Sequence, residues 1–285
     1  MTDHRRTQRT WGIVSNCWKL QLDAGESLLL LTDRARHAGF RAIELRQGCL
    51  GEFESHLDGT SFAPDSFSKL ADRFPDLQLN LAVSLPLFGP EQADMDDAFQ
   101  RALDAAVALG GGTKPHLRLV DTTTRSPRLD DATMERAARR LAFMTRLVID
   151  RGGDLAVEHA YQHWSTFDSV FQQSRRLLAS DEQRLRCCFD PCNLLLTESV
   201  DNIIEIVSRI RPDEVSMIHF KQRQHGTIKS EVGAGDLDWI QLLATLDKNQ
   251  HAGPWLFEIA PSDQIWECLQ RSIQYFENQD HPTFG

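Results

Sequence analysis

The sequence lacks both a long hydrophobic run and an excess of basic residues. No stretch approaches the roughly 20 apolar residues of a membrane span, and the first residues, MTDHRRTQRT, contain no apolar signal core. The 31 lysine and arginine residues are outnumbered by 41 aspartate and glutamate residues, so the net charge is −10. A nucleic-acid-binding surface needs a basic face, so we expect no nucleic-acid partner. Because the chain has no membrane span and no apolar signal core, we expect a cytoplasmic protein without a membrane partner.

Cysteine is sparse and lacks the spacing of a zinc motif. The chain has 6 cysteines, of which Cys187, Cys188 and Cys192 are close together, but no second pair completes a zinc-binding pattern. Cys188 lies inside an apolar run, which favours a buried strand position. We therefore expect reduced, buried thiols, as is usual in cytosolic proteins.

Short apolar runs alternate with amphipathic stretches along most of the chain. The apolar runs predict eight strands, at 11–16, 41–46, 77–84, 116–121, 155–160, 185–190, 215–221 and 255–259. The amphipathic stretches predict helices at 25–38, 65–74, 94–109, 131–151, 165–179, 199–210, 236–247 and 262–277. Eight such units without a break in composition predict an α/β fold, a single (β/α)8 TIM barrel over residues 11–285 after a tail at 1–10.

Four ionisable residues close apolar runs in the second half of the chain. Glu158 follows LAV, Asp190 follows RCCF, His219 follows VSMI, and Glu258 follows WLF. Such a residue lies at the carboxyl end of a buried parallel strand, where α/β barrels carry their active sites. Taken singly, each carboxylate suits a strand-end salt bridge, and His219 suits a hydrogen-bonded core histidine. Together, three carboxylates and one imidazole predict a site for one divalent metal ion.

Further candidates lie beside these four residues. Lys221 is two residues beyond His219, so period-two alternation predicts that both point inward. Arg223 and His225 follow the seventh predicted strand, where a solvated loop is the default interpretation. The stretch 47–64 is rich in glycine and polar residues and predicts a long loop over the active-site face.

Six sequence segments resemble the xylose isomerase-like family of TIM barrels, the sugar isomerases and epimerases related to endonuclease IV. The matching segments are GFRAIELR (39–46), LAVEHA (155–160), FDPCN (189–193), IHFKQ (218–222), VGAGDLDW (232–239) and LFEIAP (256–261). Their order and spacing together are typical of the superfamily, but they do not specify a substrate. The resemblance implies a metal-dependent enzyme that acts on a small, sugar-like molecule.

The resemblance also implies roles for individual residues. The metal ligands would be Glu158, Asp190, His219 and Glu258. The two glutamates would also act as acid and base, and Mn²⁺ is the expected ion, with Mg²⁺, Co²⁺ or Zn²⁺ as alternatives. The expected substrate-binding residues of the pocket wall are Lys221, Glu44, Arg46 and Asn193. Independently of the resemblance, Trp18 follows the first predicted strand and is expected to bind substrate at the mouth of the pocket, beside the 47–64 loop.

Two departures from the family pattern affect the expected reaction. Asn193 occupies the place where keto-sugar epimerases carry a histidine, three residues after the metal aspartate. The third predicted strand ends LAVSLP (81–86), without the histidine that the trinuclear zinc site of endonuclease IV requires. The first departure keeps a lyase as an alternative, and the second argues against a nuclease.

The sequence thus predicts a metal-dependent isomerase or epimerase of a keto sugar or related polyol, acting through an enediolate. The first alternative is a metal-dependent lyase or dehydratase that acts on an oxidised sugar or cyclic polyol through the same enolate, as in cleavage of a 3-oxo-glycoside. A phosphodiesterase nuclease and a barrel that only binds ligands are less favoured alternatives. The sequence leaves the sugar, the metal and a homo-oligomeric state open.

Overall fold

The computed structural model describes residues 9–54, 62, 64–89, 95–251 and 253–280. Eight parallel strands close into a barrel: β1 (Trp11–Val14), β2 (Ala42–Arg46), β3 (Gln78–Ser84), β4 (His116–Val120), β5 (Asp154–Glu158), β6 (Leu185–Phe189), β7 (Val215–Phe220) and β8 (Trp255–Phe257). Each strand pairs with its neighbours in chain order, and β8 pairs with β1. The predicted (β/α)8 barrel is confirmed, and every strand overlaps its predicted range.

Helices of ten or more residues follow each strand of the barrel. They are α1 (Leu28–His37), α2 (Pro64–Arg73), α3 (Met95–Gly110), α4 (Asp131–Asp150), α5 (Trp164–Leu178), α6 (Val200–Arg209), α7 (Trp239–Lys248) and α8 (Ile265–Asp280). Side-chain caps fix several of their starts; the carboxylate of Asp130, for example, accepts a hydrogen bond from the backbone N–H of Thr133 at 2.8 Å. None of the helices among the described residues is both long and apolar enough to cross a membrane.

The barrel has an outer and an inner apolar core. Most buried apolar side chains lie between the strands and the surrounding helices. A smaller cluster fills the barrel interior and consists of Val14, Ala42, Ala156, Cys188, Met217 and Leu256. Because alternate strand residues point to opposite faces, the next inward positions toward the carboxyl ends carry the polar side chains of the site. All six cysteines are free and buried, including Cys187, Cys188 and Cys192, for which burial was predicted.

The connections after β2 and β7 were expected to be loops, but both contain short secondary structure. The described part of the loop after β2 contains a short 3-10 turn, Gly51–Phe53, and an isolated bridge between Glu54 and Phe62. Residues 55–61 and 63 of the predicted 47–64 loop lie outside the described residues. The segment after β7 was predicted as a solvated loop, but Arg223–Gln224 and Thr227–Ile228 pair as a short antiparallel hairpin.

Candidate metal centre

The four residues that close the apolar runs converge inside the barrel mouth. Glu158 ends β5, Asp190 and Glu258 directly follow β6 and β8, and His219 is the second-last residue of β7. Ligand atoms from these four side chains all lie within 4.8 Å of one another. The Nδ1 atom of His219 is 3.3 Å from Glu258 Oε2, 3.6 Å from Glu158 Oε1 and 3.9 Å from Asp190 Oδ2.

The chemistry of this group suits a divalent metal ion. Each of the four residues is less than one-tenth exposed. The Nδ1 atom of His219 is buried without a hydrogen-bond partner in the described structure, although it faces the three carboxylates. A buried polar atom without a partner is unusual and costly. Three carboxylate oxygens and one imidazole nitrogen are also a common ligand set for Mn²⁺ or Zn²⁺, so the residues present fit such an ion.

The balance of buried charge supports the same interpretation. The carboxylates at this level of the barrel are Glu44, Glu158, Asp190 and Glu258, and the cations are Arg118 and Lys221. With a neutral His219, two negative charges remain uncompensated, which is the charge that one divalent cation would supply. Burial would lower the pKa of His219, but the surrounding acidic groups, Cys188, Glu44 and Glu158, raise it well above its usual value.

The rear side of the His219 ring contacts a second, fully enclosed carboxylate. Its Nε2 atom lies 3.3 Å from Glu44 Oε1 and 3.3 Å from Cys188 Sγ. Glu44 also accepts hydrogen bonds from Arg118 Nη2 at 2.5 Å and from Asn80 Nδ2 at 2.8 Å. Metal-binding histidines commonly direct their other ring nitrogen to such a carboxylate, which fixes the ring orientation.

This position corrects the predicted role of Glu44 as a substrate-binding residue. Its side chain is 0% exposed, and it lies behind His219 and does not line the cavity. The inward direction was predicted correctly, but Glu44 lies two residues before the end of β2 and so deeper in the barrel. Burial would raise its pKa, but the charges of Arg118 and His219 reverse this effect and hold the pKa below the usual range.

Arg118 is a site residue that the sequence analysis missed. It lies in the middle of β4, is 1% exposed, and joins Glu44 to Glu158, with Nη1 2.5 Å from Glu158 Oε2. A usable signal was present, because an arginine in the strand HLRLV needs buried anionic partners. Burial would raise the pKa of Glu158, but Arg118 and His219 lower it below its usual value.

Lys221 and Asn193 meet the front of the cluster. The ammonium of Lys221 lies 2.6 Å from Glu258 Oε2 and 2.7 Å from Asp190 Oδ2. Burial would lower the pKa of Lys221, but the two carboxylates raise it well above its usual value, so it is an ammonium. The side-chain amide of Asn193 donates a hydrogen bond to Glu158 Oε1 at 2.9 Å and accepts one from Lys221 at 3.3 Å.

A cavity of about 390 Å³ opens above these residues at the carboxyl ends of the strands. Glu158 and Glu258 line it, as do Lys221, Arg46 and Asn193. The volume lies within the range of small-molecule sites. The structure thus brings three of the five predicted substrate-binding residues to one cavity that also contains both glutamates.

Trp18 is the second correction among the predicted substrate-binding residues. It is fully buried in the outer core, 6.0 Å from the ring of Trp266, and does not line the cavity. The 3-10 turn Ser15–Trp18 follows β1 directly and rotates the indole toward the helix layer. The sequence contained no local signal for that turn.

Comparisons with known proteins bear on the fold and the family of the chain. The profile of the family described as xylose isomerase-like TIM barrel matches residues 32–278, whereas no curated protein matches the chain. One similar structure is the IolI protein with a binding zinc atom, at 12% identity and a TM-score of 0.67, covering 95% of this chain and 96% of that chain. Another is a D-allulose 3-epimerase from Methylomonas sp., at 13% identity and a TM-score of 0.67, covering 95% and 98%.

A third similar structure is much longer than this chain. It is a xylose isomerase-like TIM barrel/4-hydroxyphenylpyruvate dioxygenase fusion protein, with 14% identity and a TM-score of 0.71. The match covers 96% of this chain but 43% of the fusion protein. At these identities the similar structures establish the fold, and the match of the family profile, which spans most of the chain, establishes the family. The chain belongs to the xylose isomerase-like TIM barrel family.

Proposed function

We propose that this protein is a metal-dependent isomerase or epimerase of a keto sugar or related polyol. The observation that carries the proposal is the placement of Glu158 and Glu258 in one cluster of ligand atoms while both line the same cavity. Glu158 ends β5 and Glu258 follows β8, and these strands are separated around the barrel by β6 and β7. They therefore reach a bound molecule from different sides, as proton transfer at neighbouring carbons or on opposite faces requires.

The side chains around each glutamate keep its carboxyl group ionised. Arg118 and Asn193 contact Glu158, and Lys221 contacts Glu258. Burial raises the pKa of Glu258, but Lys221 and His219 lower it well below its usual value. In this proposal one carboxylate removes a proton from carbon and later releases it to water, and the other takes a proton from water and returns it to a second position. Lys221 can donate hydrogen bonds to a substrate hydroxyl or oxyanion.

Four side chains would hold the metal ion: Glu158, Asp190, His219 and Glu258. When bound, a divalent cation supplies positive charge that polarises a carbonyl and neutralises the negative charge developing on the substrate oxygens. We propose Mn²⁺ because three of the four ligands are hard oxygens. Zn²⁺ is the alternative, since the similar IolI structure contains a zinc atom.

The proposal is tested by solvent hydrogen exchange. Mn²⁺-loaded protein is incubated with ketoses in D₂O, and NMR follows deuterium at carbon. We expect incorporation that a chelator abolishes and that Glu158→Gln and Glu258→Gln each slow by about 10²–10⁴. The matched control is Glu135→Gln, since that glutamate is 53% exposed on α4. Full exchange in both cavity variants with metal bound would reject the two-carboxylate mechanism.

A lyase or dehydratase that acts on an oxidised sugar or cyclic polyol is the second candidate. One observation favours it: Asn193, which cannot transfer a proton as a histidine does, contacts Glu158 directly. Elimination through the same enolate needs no proton donor at that position if the leaving group departs elsewhere. Mass spectrometry of the product separates the two candidates, because elimination or cleavage changes the mass of the substrate and epimerisation does not.

A further inference from the structure

Two arginine side chains line the cavity without a carboxylate partner. Arg46 ends β2, and Arg223 begins the short hairpin after β7; both are half-buried. Within the described residues, neither guanidinium makes a hydrogen bond or an ion pair. The other two cations of the cavity wall, Arg118 and Lys221, are both paired with buried carboxylates. Arg46 and Arg223 therefore present guanidinium groups that no carboxylate of the described residues binds directly, although Arg46 is near enough to Glu258 to help lower its pKa.

The charge balance of the site indicates which kind of ligand these two arginines would bind. A divalent ion would neutralise the buried cluster beneath them, as argued above. Glu158 and Glu258 are the carboxylates that line the described cavity wall, and both belong to that cluster. The upper cavity is then positive in a chain whose net charge is −10. Guanidinium groups bind carboxylate and phosphate oxygens through paired, charge-assisted hydrogen bonds.

The backbone holds Arg223 at this place. Its N–H donates to the side chain of Gln222 at 2.9 Å, and its carbonyl accepts from the N–H of Asp236 at 2.8 Å. Gly235 packs so closely that an added Cβ would collide with the Arg223 carbonyl and the Gln222 side chain. The hairpin thus presents Arg223 from a fixed position, as a binding residue requires.

We propose that the substrate carries an anionic group, a carboxylate or a phosphate, which Arg46 and Arg223 bind above the metal site. The two arginines flank the end of β8, because β1 and β8 lie between β2 and β7 around the barrel. The anionic group would then lie on the same side of the cavity as Glu258. This inference rests on the proposed function, since it concerns the same cavity.

Direct binding tests the inference without depending on turnover. Calorimetry measures the binding of inorganic phosphate, of D-glycerate and of neutral glycerol to Mn²⁺-loaded and metal-free protein. We expect one of the anions to bind to the loaded protein at least tenfold more tightly than glycerol, which also distinguishes phosphate from carboxylate. Arg46→Met and Arg223→Met should each weaken that binding by about tenfold or more. The control Arg139→Met replaces an arginine that is 72% exposed on α4 and should bind like the unmodified protein.

Each other outcome overturns the inference. Equal binding of glycerol and both anions would reject an anion site. Anion binding that survives in both arginine variants and disappears in metal-free protein would place the anion on the metal ion alone. The proposed function fails separately: no deuterium incorporation with any ketose, neutral or anionic, would reject it even if Arg46 and Arg223 bind phosphate. If a neutral ketose exchanges deuterium and both arginine variants keep the KM of the unmodified protein, the proposed function stands and the anionic substrate is rejected.

Discussion

Strands β2–β4 and strands β5–β8 both bring ionisable side chains into the barrel, but protein partners satisfy the carboxylates of the two groups to different degrees. In the first group, the carboxylate of Glu44 is fully enclosed and contacts the side chains of Arg118, Asn80 and His219. In the second group, Glu258 reaches the cavity and has one ammonium, that of Lys221, beside its Oε2 atom. The same functional group is therefore structural where protein donors satisfy it and available for chemistry where they do not.

The comparison divides the site into a metal-facing set and a supporting set. The metal-facing set consists of Glu158, Asp190, His219 and Glu258, and the supporting set consists of Glu44, Asn80 and Arg118. Arg118 joins the sets by pairing with both Glu44 and Glu158. If this division is correct, substitutions in the metal-facing set change the reaction itself, whereas substitutions in the supporting set act through ligand orientation.

Removing a ligand from the metal-facing set should have the largest effect. His219→Ala deletes the sole nitrogen of the ligand group, so we expect loss of detectable Mn²⁺ binding and of deuterium exchange. Calorimetry with Mn²⁺ measures the first and NMR the second. The comparison variant His225→Ala changes an exposed histidine of the hairpin and should keep both. Retained Mn²⁺ affinity in His219→Ala would show that the metal lies elsewhere.

Neutralising Glu44 should have a smaller effect of a different kind. Glu44→Gln preserves the size of the side chain but removes the charge beside Arg118 and His219. We expect Mn²⁺ affinity to fall by about 10–100-fold, the usual range for a partner of a metal-binding histidine. Calorimetry measures this, and circular dichroism checks the fold. An unchanged affinity would mean that Glu44 does not orient His219 and that the supporting set has no separate role.

The contrast between the two sets also shows what the sequence can predict. Glu158, Asp190 and Glu258 could be placed because each closes an apolar run, and a run buried on both faces is a strand whose end is known. Glu44 has the correct parity, but parity gives the face of a strand and not the depth along the barrel. Only the closure of the barrel, which brings β2 beside β3 and sets Glu44 opposite Asn80, shows that its oxygens are already satisfied.

Two histidines on opposite faces of the barrel wall show the same difference between an apolar and an ionic environment. His159 follows Glu158, so alternation along the chain turns it outward, where it packs against the rings of Trp164 and Phe167. Burial lowers the pKa of His159 to about 4, whereas the pKa of the inward His219 is raised. His159 is 1% exposed, so solvent screens little of the cost of protonating it in the folded state.

This shift predicts acid sensitivity. An unfolded histidine binds a proton near pH 6.5, and folded His159 does so only near pH 4, so the stabilisation is present above pH 6.5 and is lost as the pH falls toward 4. The loss should be about 3 kcal/mol. Urea unfolding between pH 7 and 4 measures it in the metal-free protein. His159→Gln should remove this part of the pH dependence of the free energy of unfolding. If the variant keeps the same pH dependence, the acid sensitivity comes from other groups.

Lys221→Met should have the smallest effect of these changes, because Lys221 touches the metal-facing set without belonging to it. Its ammonium contacts Asp190 Oδ2 and Glu258 Oε2, two oxygens that a metal ion would also use. The substitution therefore removes a competitor for the ligands, and Mn²⁺ affinity should stay equal or increase. The loss of one charged contact to substrate should lower kcat/KM by about tenfold.

Steady-state kinetics and Mn²⁺ calorimetry separate these two effects of Lys221→Met. Lys248→Met, at the end of α7 and away from the cavity, is the matched control for the loss of a positive charge. A fall in Mn²⁺ affinity would place Lys221 in the supporting set beside Arg118. Unchanged kinetics would mean that Lys221 only balances charge in the absence of metal, and that substrate contact on this side of the cavity falls to Arg46 and Arg223.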